Sequence, residues 1–244
     1  MFQGPAPVKV AIVDSGVSVG FLRGAGLSLA GAASFTVDRE ARRLESRVHS
    51  REELAAWRGG DSVLEDLEDS HGHGTAVLSI LLEQGRPAAD VEWYVARVLD
   101  GRMRGDSLCL LEALEWLTQD VRPDLINLSL GTVGRAFEAP LTALLDRAVA
   151  QGSLVLCAAG PVSGLPSGLP SVVTVADAAM AHALRKGDIV DHVEDAATAR
   201  LYVDGAWSER PITSSYACAL AAARVLREGC PPGWRRATAS QRTR

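Results

Sequence analysis

Three short stretches of this 244-residue chain place an acid, an imidazole and a hydroxyl in settings that favour chemistry. Asp14 ends the apolar run Val-Ala-Ile-Val and is followed by Ser-Gly. His73 lies in Ser-His-Gly-His-Gly-Thr, where the flanking glycines allow a tight turn that leaves the ring accessible. Ser215 lies at the start of a predicted helix of small residues, where backbone N–H groups favour negative charge. Such residues can together perform nucleophilic catalysis.

Each stretch also has an ordinary structural interpretation. Asp-Ser-Gly is a common turn after a strand, and any of Thr213, Ser214 and Ser215 could be the N-cap of the helix. His71 and His73 form an H-x-H pair, which is conceivable as part of a metal site. The other three histidines fall in no recognisable ligand spacing, so we expect no metal site.

The composition of the chain argues against several classes of function. The net charge is −5 and no basic block precedes the C-terminal tail, so we expect no nucleic-acid partner. No apolar run approaches the roughly 18 residues of a membrane span, so we expect no membrane association. Residues 1–7 lack the regions of a secretory signal, and the four cysteines show no close pairing. We therefore expect a cytoplasmic protein without signal or pro-segment.

Apolar runs alternate with helical patterns, which is typical of a mostly parallel sheet covered on both faces. The predicted strands are residues 8–13, 91–98, 125–130, 154–157, 172–175, 188–193 and 199–203. The predicted helices are residues 51–57, 74–82, 108–119, 140–151 and 215–227, and residues 33–47 are a predicted hairpin. The length favours one domain over residues 1–228, followed by a disordered, arginine-rich tail over residues 229–244.

Taken together, the three stretches resemble the subtilisin-like serine proteases (subtilases, peptidase family S8). The chain order Asp, His, Ser is that of subtilisin rather than of chymotrypsin or the α/β-hydrolases. Residues 125–131, Leu-Ile-Asn-Leu-Ser-Leu-Gly, resemble the N-x-S-L-G strand of the family. Residues 156–160 resemble the strand that leads to its oxyanion residue, and residues 169–175 resemble the P-S-V strand that follows. The resemblance implies a three-layer α/β fold, with helices on both faces of a mostly parallel central sheet.

The resemblance also implies roles for particular residues. Asp14, His73 and Ser215 would form the catalytic triad. Ser215 fits the nucleophile better than Ser214, because Ala217 then occupies a position that needs a small residue. The substrate-binding residues would be Ser129, Leu130, Gly131, Ala158, Ala159, Gly160, Arg102 and Met103. Arg102 and Arg104, at the expected substrate edge, predict a preference for acidic residues upstream of the cut.

The oxyanion site departs from the family pattern. The family has an asparagine where this chain has Pro161, which offers neither a side-chain donor nor a backbone N–H. In subtilisin itself, removing that donor lowers turnover by roughly 10²–10³-fold. The remaining expected donors are the Ser215 N–H and the Ser214 hydroxyl, with Ser163 as a further candidate.

Other departures lie near the nucleophile and in the acidic segment. Thr213 and Ala219 replace a glycine and a proline of the family. From the short segment after residue 227 we expect the family's usual C-terminal elements to be absent. We find no family calcium loop and expect no cofactor, although the acidic run over residues 61–69 leaves calcium open.

Two functions are compatible with these features. The first is an intracellular serine endopeptidase that cleaves a specific peptide or protein precursor, as in peptide maturation. The second is a catalytically weak or inactive subtilase-like binding or scaffolding subunit, which Pro161 and Thr213 favour. The expected partners are the substrate and a second protein or second copy of this chain. A metal-dependent hydrolase that uses His71 and His73 is a third, less supported alternative.

Overall fold

The structure is a computed structural model, which describes residues 6–38, 40–160, 164–184 and 189–234. In it the apolar runs of the sequence form strands and helices that alternate along the chain. The strands are β1 Val8–Asp14, β2 Leu29–Asp38, β3 Arg43–His49, β4 Val91–Arg97, β5 Leu125–Leu128, β6 Leu154–Ala158, β7 Val173–Asp177, β8 His192–Glu194, β9 Thr198–Val203 and β10 Ala206–Pro211. The α-helices are α1 Val19–Gly24, α2 Arg51–Gly59, α3 His73–Gln84, α4 Ser107–Trp116, α5 Glu138–Ala150, α6 Ala178–Ala183 and α7 Ser214–Glu228.

Strand β1 lies inside an eight-stranded sheet with the order β3-β2-β4-β1-β5-β6-β7-β8. Every neighbouring pair is parallel except the antiparallel hairpin β2–β3. Residues 10–13 of β1 are at most 1% exposed, as expected for a strand covered on both faces. The carboxyl ends of β1, β5, β6 and β7 therefore meet at one edge of the sheet, where ligands bind in open α/β folds.

The two faces of the sheet carry separate apolar clusters. On one face, side chains of β1, β4 and β7 pack with α1, α2, α3 and α7. On the other face, side chains of β1, β5 and β6 pack with α4 and α5. Helix α7 buries the alanines at positions 217, 219, 221, 222 and 223 completely, and these small side chains allow it to pack closely. The predicted three-layer α/β fold is confirmed.

Most predicted elements are present with small shifts at their ends. The five strands predicted between residues 8 and 175 are all found, and the hairpin predicted over residues 33–47 is β2–β3. The prediction for residues 108–119 differs, because α4 ends at Trp116 and continues as a π-helical turn over Leu117–Val121. The strand predicted over 188–193 is the three-residue β8, whose pairing with β7 begins only at His192.

Among the described residues, the sequence patterns missed two short α-helices and one strand. Helices α1 and α6 are only six residues long, which is too short for a helical period to be visible. Strand β10 is mostly exposed and polar, and it is held by its antiparallel pairing with β9. In the predicted tail, the Trp234 ring contacts the His192 ring at 5.1 Å between centroids. Residues 235–244 lie outside the described residues.

Two glycines allow the start of α3 to approach the end of β1. A Cβ atom on Gly74 would lie 2.3 Å from the Gly16 carbonyl oxygen. A Cβ atom on Gly16 would lie 2.3 Å from the Leu67 carbonyl oxygen, and Gly16 has a φ of +107°. A side chain on Gly74 would therefore push α3 away from the end of β1, and a side chain on Gly16 would push away the loop segment that contains Leu67.

Replacing Gly74 should therefore destabilise the fold. We expect Gly74→Ala to lower the free energy of unfolding by about 1–3 kcal/mol, as is typical of overpacking. The measurement is urea denaturation followed by circular dichroism. Gly24→Ala is the matched control, because a Cβ atom there would meet nothing within 4 Å. Equal stability of the two variants would contradict this account of the helix position.

Candidate active site

The carboxylate of Asp14 and the ring of His73 form a direct contact. Asp14 is 0% exposed at the end of β1, and its Oδ1 accepts hydrogen bonds from His73 Nδ1 and from the Ser15 N–H, both at 2.7 Å. His73 is the first residue of α3, and its side chain is 12% exposed. Because Nδ1–H donates to the carboxylate, Nε2 of the neutral ring is left to accept a proton.

Asp69 organises the turn that presents His73. Its Oδ1 accepts from the Ser15 hydroxyl at 2.9 Å and from the Gly72 N–H at 2.8 Å. Its Oδ2 accepts from the N–H and the hydroxyl of Thr75, at 2.8 and 2.7 Å. The Ser15 hydroxyl in turn accepts from the Gly74 N–H at 3.0 Å. In the sequence, Asp69 is visible only as the end of an acidic run. Its place just before a glycine-flanked helix start was the signal that could have identified it.

The charges around this pair stabilise the positively charged form of the His73 imidazole relative to that of an ordinary histidine. Burial lowers the pKa of the His73 imidazole, but the charge of Asp14 and its hydrogen bond raise it, and the charge of Asp69 adds to them. The net effect holds the pKa of His73 above the ordinary histidine value. A carboxylate that stabilises the imidazolium in this way also makes Nε2 a stronger proton acceptor.

The ring of Tyr216 packs against His73. The two ring centroids are 5.9 Å apart with an interplanar angle of 23°, which is a stacked arrangement. Burial raises the pKa of the Tyr216 hydroxyl, and the nearby charge of Asp14 raises it further. Tyr216 belongs to α7, so this contact joins the helix that carries Ser215 to the helix that carries His73.

The two candidate serines point in different directions at the start of α7. The Ser215 hydroxyl donates to the Ser129 carbonyl at 3.2 Å, and the Ser129 hydroxyl donates to the Ser215 carbonyl at 3.1 Å. Ser214 Oγ donates to Asp177 Oδ2 at 2.9 Å. Among the described residues, no hydrogen bond joins Ser215 Oγ to His73. Thr213 is the N-cap of α7, and its hydroxyl accepts from the Tyr216 N–H.

A cavity of about 350 Å³ opens beside these serines. It is lined by six of the eight predicted substrate-binding residues, namely Ser129, Leu130, Gly131, Ala158, Ala159 and Gly160. Further lining residues include Leu165, Met180, Thr213, Ser214 and Ser215. Paired hydrogen bonds between the backbones of Thr132 and Leu165, both 2.7 Å, close one side of it. No charged side chain is present among the described lining residues.

Arg102 and Met103 lie apart from that cavity, in a turn after β4. The turn is held by Asp100, whose Oδ1 accepts from the N–H groups of Arg102 and Arg104. It is close to the His73 loop, because a Cβ atom on Gly101 would lie 2.4 Å from Ser70 Oγ. Pro161 and Ser163, the predicted oxyanion position and its candidate substitute, lie outside the described residues.

The described part of the chain contains no group of three or more His, Cys, Asp or Glu side chains that could hold a metal ion. Asp69 uses both carboxylate oxygens within the His73 turn. Asp66, in the same acidic run, accepts from the Ser34 hydroxyl and contacts His49 at 2.8 Å. Among the same described residues, no helix is both long and apolar enough to cross a membrane. The absence of metals and cofactors stays a prediction.

Comparison with known proteins places the chain in a family. The model of the subtilase family, Peptidase S8, matches residues 6–199, so this chain belongs to the subtilases, a family of serine peptidases. The match covers Asp14 and His73 and ends before Ser215.

A solved structure supports the same fold. The crystal structure of a cold adapted subtilisin-like serine proteinase is similar with a TM-score of 0.61 and 19% sequence identity. The similarity covers 91% of this chain and 74% of that one, and at this identity it shows the fold alone. A search of curated proteins found no match.

From the contact between His73 and Asp14 we predict how the His73 ring titrates with pH. In NMR spectra, the His73 ring should titrate above the ordinary histidine pKa, and Asp14→Asn should lower its midpoint because a stabilising charge is lost. The pair's contribution to stability should be complete below the unfolded-state pKa and should be lost as pH rises through the folded-state pKa.

Asp124→Asn is the matched control for this titration, since Asp124 accepts from the Lys9 N–H at the opposite end of β1. It should leave the His73 midpoint in place. An unchanged midpoint in Asp14→Asn would contradict the assignment.

Proposed function

We propose that this subtilase is a serine endopeptidase in which Asp14, His73 and Ser215 form the triad. The observation that carries the proposal is the 2.7 Å contact between buried Asp14 and His73, at the sheet edge where Ser215, in the first turn of α7, lines the cavity. Tyr216 supports the same grouping, because its ring connects α7 to His73. Ser215 is preferred to Ser214 because the Ser214 hydroxyl is directed to Asp177.

In the proposed reaction, Ser215 Oγ attacks the carbonyl carbon of the scissile bond while His73 Nε2 accepts its proton. Asp14 stabilises the imidazolium that forms. Collapse of the tetrahedral intermediate breaks the C–N bond, and His73 passes the proton to the leaving amine. Water then hydrolyses the acyl-enzyme by the reverse sequence of proton transfers. Before attack, the Ser215 hydroxyl has to turn from the Ser129 carbonyl toward His73.

Oxyanion stabilisation is the weak part of this site. Thr213 Oγ1 satisfies the Tyr216 N–H, which leaves the Ser215 N–H in the first turn of α7 as a backbone donor. Pro161 removes the side-chain amide of the family, a change worth roughly 10²–10³ in turnover. We therefore propose a slow peptidase rather than one adapted to bulk digestion.

Substrate would bind along the edge that follows β5. Residues 129–131 would pair with an extended peptide, so that main-chain hydrogen bonds supply affinity and pockets supply selectivity. The cavity beside Ser215, with Leu165 and Met180 in its wall, would receive one uncharged side chain. We propose that such a slow enzyme cleaves one dedicated peptide or protein precursor inside the cell, and that its role is peptide maturation.

Serine-dependent labelling tests the proposal directly. A fluorophosphonate probe forms an Oγ–P bond and releases fluoride, with His73 taking the serine proton. We expect labelling of the wild-type chain, loss of labelling in Ser215→Ala, and retained labelling in Ser214→Ala. Intact-protein mass spectrometry measures the adduct and peptide mapping locates it.

Absence of Ser215-dependent labelling, for the chain alone and in cell extract that supplies a partner, would overturn the peptidase proposal. It would favour the binding or scaffolding subunit instead. Labelling that survives Ser215→Ala and disappears in Ser214→Ala would reassign the nucleophile.

Arg102 should contribute to selectivity for acidic residues upstream of the cut. Arg104 is paired with Asp100 at 3.3 Å, whereas Arg102 forms no ion pair within the described part of the chain. In peptide-library profiling, Arg102→Gln should reduce cleavage of acidic relative to neutral peptides by up to about fivefold, as for an exposed ion pair. Arg104→Gln is the matched control and should have a smaller effect. Indifference of the wild-type enzyme to Asp or Glu at these subsites would contradict this selectivity.

A further inference from the structure

Asp177 is a buried carboxylate that the triad does not use. It ends β7, is 6% exposed, and holds two different segments. Its Oδ1 accepts from the N–H groups of Ala179 and Met180, at 2.9 and 3.0 Å, and so caps α6. Its Oδ2 accepts from the Ser214 hydroxyl at 2.9 Å. Met180 and Ser214 both line the cavity beside Ser215, so Asp177 supports the cavity from behind.

The hydrogen bond to Asp177 determines what the Ser214 hydroxyl can do. A serine hydroxyl has one proton to donate, and here that proton is directed to a carboxylate. Hydrogen bonds to an ionised acceptor are about twice as strong as neutral ones, and this one is buried. The Ser214 hydroxyl was expected to donate to an oxyanion formed in the cavity, and in this arrangement it cannot do so.

We infer that Asp177 is a positioning residue that lowers the rate of attack by Ser215, because it withholds the Ser214 hydroxyl from the oxyanion. This inference rests on the proposed peptidase function. Asp177 acts through Ser214 and does not touch the substrate. With Pro161 already lacking a donor, the Ser214 hydroxyl, which lines the cavity beside Ser215, is one of the groups that could restore one, and its direction therefore limits the rate.

The substitution Asp177→Asn should reverse this restraint without removing the cap. The Ala179 and Met180 N–H groups require an acceptor, so the oxygen of the new side-chain amide would face them as Asp177 Oδ1 does now. The NH₂ group of that amide would then face Ser214 and donate to its Oγ. The Ser214 proton would then be free to donate into the cavity, where an oxyanion could accept it.

The experiment measures the second-order rate of fluorophosphonate labelling at Ser215. We expect Asp177→Asn to raise this rate by about tenfold, which is less than the roughly 10²–10³-fold effect of a complete oxyanion donor. In a Ser214→Ala background the same substitution should change the rate by less than about twofold, because the hydroxyl through which Asp177 acts is absent. Asp177→Ala removes the cap of α6 as well as the acceptor for Ser214. Comparing it with Asp177→Asn therefore shows how much of any rate change comes from losing the cap. Circular dichroism checks each variant.

Two results would overturn the inference while leaving the peptidase proposal intact. One is an unchanged or lower labelling rate in a folded Asp177→Asn variant. The other is an equal rise in the Ser214→Ala background, which would assign the effect to charge alone. If the wild-type chain does not label, Ser215-dependent labelling of Asp177→Asn would still support the inference. Absence of labelling in both would overturn it together with the proposed function.

Discussion

Asp14 and His73 are 59 residues apart in the chain, yet their side chains meet at 2.7 Å in the interior. Glycines at the close approach bring the two segments into contact, and Asp69 fixes their relative orientation by accepting five hydrogen bonds from Ser15, His71, Gly72 and Thr75. Leaving a buried donor without its partner costs about 1–3 kcal/mol, so this network makes the geometry specific. The base of the proposed triad is therefore positioned by Asp69 as well as by Asp14.

A second hydrogen-bond network joins residues at the ends of β5 and β7 to the start of α7, which carries Ser215. The Asn127 amide donates to Ser129 Oγ at 2.8 Å, and Ser129 Oγ donates to the Ser215 carbonyl at 3.1 Å. Asp177 holds the preceding residue, Ser214. The fully buried alanines of α7 allow the helix to lie close enough to β5 and β7 for these short side chains to reach it. The start of α7 is thus positioned by the carboxyl ends of two parallel strands.

The proposed mechanism needs both a proton acceptor and oxyanion donors, and the described residues provide the first more completely than the second. The proposed proton acceptor, His73, is oriented by its 2.7 Å contact with the buried carboxylate of Asp14, whereas the Ser215 hydroxyl is hydrogen-bonded to the Ser129 carbonyl. Oxyanion stabilisation in the proposed mechanism would lack the family's asparagine, and the Ser214 hydroxyl that could compensate donates to Asp177. Under the proposed function, an enzyme of this kind depends on binding energy from the rest of a dedicated substrate to reach a useful rate.

The sequence alone determined the α/β class, the subtilase family and the strands that end beside Asp14, Ser129 and Ala158, because these features depend on local apolar runs and short motifs. It also indicated residues that line the cavity, because residues 125–131 and 156–160 resemble the corresponding strands of the family. Short elements such as α6, and the roles of Asp69 and Asp177, were decided only by the tertiary structure. A hydroxyl or carboxylate bonds to the nearest partner in space, and that partner is here 54 residues away for Asp69 with Ser15 and 37 for Asp177 with Ser214. No local pattern encodes those distances, because they arise from packing of the finished sheet and helices.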